Sequence, residues 1–160
     1  MIILGIDPGL TQTGYGIIHV SGNETKLVEY GVVKPGIKDP LPNRLVTLYN
    51  DVEEIIRRHR PSVMAIEDIF YGKNLRSTLM LGHARGTALL AAAKEKVVIY
   101  EYSPRKIKQA LTGNGNAHKE QVQFMVKSIL KLDDIPQPQD ASDALAVCLC
   151  HIQQFRPGDL

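Results

Sequence analysis

The chain has 160 residues, of which 44% are hydrophobic and 22% charged, with a formal net charge of +2. That length suits a single domain, residues 1–160, with a sizeable core, and no apolar run is long enough for a membrane-spanning helix. So small a net charge names no partner, which leaves the distribution of charge to be read along the chain.

The first strand is expected over 2–7, where Ile2, Ile3, Leu4 and Ile6 form an apolar run broken only by Gly5. A strand buried on both faces reads this way. Asp7 then stands where an apolar residue is due, and Pro8-Gly9 ends the strand. A second strand is expected over 14–20 and a third over 25–34, with short polar turns between them. Together they predict an antiparallel meander. Pro35 to Pro42 is a loop. Leu45, Leu48, Val52, Ile55 and Ile56 at helical spacing predict a helix over 41–59, stopped by Pro61. A short strand over 62–66 ends in Glu67-Asp68. Helices are expected over 75–93, 105–111, 118–132 and 139–153, with a fifth strand over 97–102. Gly113-Asn114-Gly115-Asn116 reads as a flexible loop. The order βββαβαβα with extra helices indicates an α/β domain with a mixed sheet.

The two cysteines, Cys148 and Cys150, lie two apart in the last predicted helix, where their side chains diverge. Reduced thiols in the core are the expectation. The N-terminus lacks the basic segment and small-residue cleavage site of a signal peptide. Both readings point to a cytoplasmic location.

Two strands thus end in acids. Helix 41–59 can serve as a crossover that makes them parallel neighbours, with Asp7 beside the Glu67-Asp68 pair. Strand side chains alternate, so only one of Glu67 and Asp68 faces the same way as Asp7. The last helix adds Asp140 and Asp143 at i, i+3, on one face near its start. Each acid has a plainer reading. Asp7 suits a turn aspartate, Glu67 an ion pair with an arginine, and Asp140 a helix start. If they converge, like charges about 4 Å apart repel by roughly 4 kcal/mol per pair at an effective dielectric near 20. Such a cluster needs cations, and all-oxygen donors suit Mg²⁺ or Mn²⁺ rather than zinc. Paired divalent ions held by carboxylates serve phosphodiester hydrolysis.

The segments GIDPGLTQTGYGII, AIEDIFYGKN, LGHARGTALLAAA, SPRKIKQALTGNGNAHKEQVQFMV and DASDALAVCLCH, in that order, resemble the RuvC family of Holliday junction resolvases. The resemblance implies a ribonuclease H-like fold, with a five-stranded mixed sheet flanked by helices. It implies a structure-selective endonuclease that resolves four-way DNA junctions by symmetric paired nicks in recombination and repair. The catalytic and metal-binding carboxylates it implies are Asp7, Glu67, Asp140 and Asp143, holding two Mg²⁺, with Mn²⁺ as a substitute. It thereby selects Glu67 over Asp68, an additional acid where family members vary. The family also admits histidine at the position of Asp140.

Residues 103–131 carry Arg105, Lys106, Lys108, Lys119, Lys127 and Lys131 against one acid, Glu120. This basic patch suits phosphate contacts, although a solvated helix face has the same composition. By resemblance, Lys108 and Lys119 match basic residues important for junction binding or cleavage, and Arg105 of the same patch is a further candidate DNA contact. The stretch Phe70-Tyr71-Gly72-Lys73-Asn74, followed by Arg76, lies just after Glu67. Aromatics there suit stacking on an unpaired base, or packing over the core. The resemblance favours Phe70 over Tyr71, with Lys73 and Arg76 as further DNA contacts.

The leucine- and alanine-rich helix 75–93 is apolar on more than one face, so it is buried all round or meets a second subunit. The resemblance implies a homodimer through this helix, and partnership with the RuvA–RuvB branch-migration complex. Two other readings compete. A sugar-kinase or actin-like phosphate loop resembles DPGLTQTGYG, but needs a second such half and an adenosine motif. A non-catalytic junction-binding module would use the acids structurally.

Overall fold

The structure is a computed structural model that describes residues 1–69 and 72–155. Phe70 and Tyr71, both expected at the DNA, lie outside the described residues, as do residues 156–160. In chain order the elements are β1 (Ile2–Asp7), β2 (Thr13–Ser21), β3 (Glu24–Val33), α1 (Leu41–His59), β4 (Val63–Glu67), α2 (Leu75–Lys94), β5 (Val98–Tyr102), α3 (Pro104–Thr112), α4 (Lys119–Ile129) and α5 (Gln139–Gln154). The strands form one mixed sheet in the order β3-β2-β1-β4-β5. β1 to β3 are the expected meander, while β4 runs parallel to β1 and β5 parallel to β4.

Strand alternation divides the core into two layers. Leu4, Ile6, Ile17, Met64 and Ile66 face one side, where they meet Leu48, Val52, Ile55 and Ile56 of α1 and the alanines of α2. Ile3, Ile18, Val63 and Ala65 face the other, against Leu145, Cys148 and Leu149 of α5, with α3 and α4 outside. Both faces of β1 are therefore covered, which explains its near-continuous apolar run.

Helix α5 sits unusually close to the sheet because β1 and β2 offer glycines beneath it. A Cβ on Gly5 would overlap the Ala144 carbonyl, one on Gly14 the Asp140 carbonyl, and one on Gly16 the Leu145 side chain. Both cysteines are free and buried on this helix.

Near the end of α5, His151 is 1% exposed and its Nδ1 lies 2.7 Å from the Tyr102 hydroxyl. Burial pushes the His151 imidazole down to about 4 and the Tyr102 hydroxyl up to about 12. The ring is therefore neutral, with one nitrogen a donor and the other an acceptor, and Nδ1 shares a hydrogen bond with the Tyr102 hydroxyl. Tyr102→Phe leaves that buried nitrogen without this partner, at a cost of about 1–3 kcal/mol. The expected result is a melting midpoint lower by roughly 2–12 °C, since 1 kcal/mol is worth about 2–4 °C at this size. An unchanged midpoint in thermal unfolding would show that the bond contributes nothing.

One expectation changes, and one open alternative closes. The helix expected to reach residue 132 stops at Ile129, because Lys131 takes a left-handed conformation (φ 54°) and the Leu132 amide turns back to the Lys127 carbonyl, 2.9 Å away. Helix α2 is not buried all round. Its alanines 84, 88, 91 and 92 face the core, whereas Leu75, Leu79 and Leu90 are 72%, 60% and 54% exposed. No helix among the described residues is long and apolar enough to cross a membrane.

Candidate active site

The β1–β4 register sets Ile6 beside Ile66, so Asp7 and Glu67 end neighbouring parallel strands side by side. Phase decides which acid of the Glu67-Asp68 pair faces Asp7. Val63 and Ala65 point toward α5, so Glu67, two residues further, does so too, as Asp7 does in step with Ile3 and Gly5. Asp68 falls on the opposite face, half exposed.

The first turn of α5 brings the other two acids. Docked on Gly14, it sets Asp140 and Asp143 over the end of β1, and Asp7, Asp140 and Asp143 each offer a carboxylate oxygen within 4.8 Å of the others. Glu67 adjoins this trio at the end of the neighbouring strand, close enough for its charge to raise Asp7. All four line a cavity of about 420 Å³, together with Lys108 and Lys119.

This arrangement is electrostatically unfavourable by itself. Burial, then the charges of Glu67, Asp143 and Asp140, push Asp7 up to about 9. Burial and Asp143 raise Glu67 as well. Burial also raises Asp143, opposed by Lys119, whose Nζ lies 3.4 Å from its Oδ2. The donors are hard carboxylate oxygens facing an open cavity, which fits a hard divalent cation such as Mg²⁺ or Mn²⁺.

The turn that follows Asp7 is braced. Gly9 donates its amide to the Thr13 hydroxyl, which donates to the Gly9 carbonyl, at 3.1 and 2.7 Å. Arg44 of α1 donates to the Leu10 carbonyl at 2.7 Å. Gln12 donates its side-chain amide to Asp140 Oδ2. Neither Gln12 nor Arg44 was expected at the site. Gln12 looks like an ordinary polar turn residue, and its partner lies 128 residues away.

The basic patch reaches the same cavity. Ser103 caps α3 by accepting from the Lys106 amide, and α3 and α4 then place Lys108 and Lys119 on the cavity wall. The 113–116 loop between them, expected to be flexible, is laced with hydrogen bonds. Gln109 donates to the Gly113 carbonyl and accepts from the Gly115 amide, both at 3.0 Å, and Asn114 Oδ1 accepts from the Asn116 amide at 2.9 Å. Arg105 packs against Gly115 at this loop and reaches Asn116. Lys73 and Arg76 are exposed at the start of α2, outside the cavity wall.

Comparison with known proteins agrees with this architecture. Residues 3–151 match the family model described as crossover junction endodeoxyribonuclease RuvC. The protein of that name from Desulforamulus reducens is 50% identical over 153 residues, covering 96% of this chain and 94% of its own. The one from Ruminiclostridium cellulolyticum is 46% identical, covering 100% of this chain and 96% of its own. Among solved structures, T. thermophilus RuvC in complex with Holliday junction substrate superposes with a TM-score of 0.93 at 38% identity, covering 99% of this chain and 97% of that one. The fold is thus the ribonuclease H-like one expected, and the chain belongs to the RuvC family of crossover junction endodeoxyribonucleases.

Proposed function

We propose that this chain resolves four-way DNA junctions by paired, symmetric nicks, using Asp7, Glu67, Asp140 and Asp143 as ligands for two Mg²⁺ ions. The observation that carries this is the meeting of four carboxylates from three separate elements in one open cavity walled by lysines. When bound, a pair of divalent ions supplies an activated water and neutralises charge on both sides of the scissile phosphate.

The chain's own residues do the rest. Asp7 and Glu67, at the ends of rigid strands, set one side of the metal-binding cleft, and α5 sets the other. Pro8 and Gly9 turn the chain away from the cleft without a bulky side chain. Lys108 and Lys119 hold the phosphate backbone, Lys119 from beside Asp143, with which it pairs. Arg105, Lys73 and Arg76 extend the phosphate track on either side. Phe70, ahead of Tyr71, stacks on an unpaired base at the junction centre.

A homodimer through the exposed leucines of α2 gives two such clefts related by a two-fold axis, which suits the two like-polarity strands of a junction. The reading also places one nuclease domain over residues 1–160, in the cytoplasm, working with a RuvA–RuvB branch-migration complex.

The test is cleavage of a synthetic four-way junction. Symmetric nicks with 5′-phosphate ends, dependent on Mg²⁺ or Mn²⁺, are expected. Binding without nicking under any divalent ion would instead favour a non-catalytic binding module. Sedimentation of a junction-bound monomer would remove the symmetric part of the reading. Lys119→Ala is expected to weaken binding to all junction sequences alike. It should also reduce the slope of log affinity against log salt by about 1, the signature of one lost phosphate contact. A parent-like slope, measured by fluorescence anisotropy over a salt series, would place Lys119 away from the backbone.

A further inference from the structure

Arg85 is the feature that the cleavage reading leaves unused. It projects from the middle of α2, on the face of the sheet opposite the carboxylate cluster, and its side chain is only 13% exposed. Its Nε donates to the Glu67 backbone carbonyl at 3.2 Å. Its Nη2 lies 3.4 Å from Asp68 Oδ1 and also pairs with Glu101 Oε2. One guanidinium thus grips the last residue of β4, the residue after it, and Glu101 of β5, which lies opposite Ile66. A rigid planar fork is needed for three acceptors in different directions, and a lysine ammonium on a flexible stem does not supply it.

The placement is telling. The Glu67 side chain leaves the sheet toward Asp7, while its carbonyl is held from behind by Arg85. The parallel ladder between β1 and β4 runs only to the Ile6–Ile66 pair, and on the other side β4 leaves β5 after the Asp68 amide bonds to the Tyr102 carbonyl. Glu67 is therefore still paired with β5, opposite Tyr102, but is past the end of the ladder with β1. Asp68 is held as well, by Arg85 and by the amide of Ile69 at 2.8 Å. A small hollow behind the cluster is bordered by Asp7, Glu67 and Asp68 together. A released Asp68 would bring a further negative charge to the edge of a cluster that already repels itself.

We infer that Arg85 is a positioning residue for the cleavage site: by clamping the Glu67 carbonyl, Asp68 and Glu101, it aims the Glu67 carboxylate at the metal cleft and holds Asp68 out of it. The inference rests on Glu67 being a metal ligand, and its test separates the two claims.

The measurement is the Mg²⁺ concentration that gives half of the metal-induced rise in melting temperature, without DNA, alongside single-turnover junction cleavage. Removing groups that orient metal ligands costs about 10–100-fold in affinity or activity. Arg85→Leu, which fills the slot without donors, is expected to raise the Mg²⁺ half-point about 10-fold. It should also slow cleavage at limiting Mg²⁺ by a similar factor, with junction affinity within about 2-fold of the parent. Arg85→Lys keeps the charge but not the fork, and is expected to recover only part of both losses; it serves if the leucine variant does not fold. A lower melting temperature with an unmoved Mg²⁺ half-point in both variants would make Arg85 a purely structural residue. Glu67→Gln is measured beside them. If it moves the half-point and the Arg85 variants do not, only the role of Arg85 is overturned. If Glu67→Gln itself leaves the half-point unmoved, the ligand assignment of Glu67 falls, and the inference with it.

Discussion

Asp7→Asn is expected to abolish junction cleavage while making the metal-free protein more stable. The substitution keeps the shape of the side chain and removes one charge from a buried group whose neighbours are Glu67, Asp140 and Asp143. On the proposed reading, the loss of rate follows from losing one of the four carboxylates that would hold the divalent ions. Several kcal/mol are at stake, or about 10³-fold in single-turnover rate. Junction binding, which the proposed reading assigns to lysines rather than to Asp7, should stay near that of the parent. An Asp7→Asn protein that still cuts would remove the proposed mechanism.

The gain in stability follows from linkage. The carboxyl of Asp7 titrates near 3.8 in an unfolded chain and is pushed up to about 9 in the fold. Between those values the folded state holds a proton that the unfolded state has released. Stability is then greatest below about 4 and is lost as pH rises toward 9. Glu67 and Asp143, raised in the same direction, act in the same sense. In a chelator, the contribution of this cluster should therefore fall from pH 5 to pH 9, and added Mg²⁺ should restore more at pH 9 than at pH 5. Asp7→Asn should flatten that dependence. At pH 8 without metal it should raise the melting midpoint by about 2–4 °C or more, the equivalent of at least about 1 kcal/mol. Differential scanning fluorimetry across pH, with and without Mg²⁺, reads all of this. A midpoint that falls on substitution would mean that Asp7 is a structural turn residue.

Gly14→Ala is the second substitution with a large expected effect, although it adds a single methyl group. Gly14 pairs with Asp7 across β1 and β2, and a Cβ there would run into the Asp140 carbonyl. The obstacle is helix backbone, which cannot swing aside as a side chain would. Overpacking of this kind costs about 1–3 kcal/mol, or a midpoint lower by roughly 2–12 °C at this chain length. The larger effect is on catalysis. Relieving the overlap lifts the first turn of α5, which carries Asp140 and Asp143. A displacement near 1 Å is enough to lower cleavage by about 10²-fold. The Mg²⁺ half-point should rise with it. A protein with alanine at position 14 that cuts and melts like its parent would show that α5 does not sit on this glycine.

Much of this site was legible in the sequence, for identifiable reasons. The strand ends at Asp7 and Glu67 stood out because an acid follows an apolar run, and the intervening helix had the length of a parallel crossover. The choice between Glu67 and Asp68 was not legible from pattern. β4 is covered on both faces, so its residues are uniformly apolar and carry no alternation to set the phase. The family resemblance supplied the answer, and the register supplies its physical reason. Asp140 and Asp143 were visible as an i, i+3 pair, but their approach to Asp7 depends on glycines beneath α5, which mark only flexibility or turns when read one at a time. Gln12 and Arg85 were missed because a polar turn residue and a helical arginine are ordinary until their distant partners are known. The 113–116 loop looked flexible from its glycines and asparagines. Its rigidity comes from Gln109 in the preceding helix, whose side chain turns back to hold it.

The glycine seat under α5 also bears on how the protein is made. One half of the carboxylate set leaves the ribosome within the first 67 residues, and the other half arrives only with Asp140 and Asp143. A chain truncated before residue 139 holds Asp7 and Glu67 but lacks both the remaining acids and the helix that covers one face of its sheet. Covering that face of the sheet and bringing the second pair of acids to the first therefore depend on the same helix. A half-built or locally unfolded copy lacks the four-acid cleft.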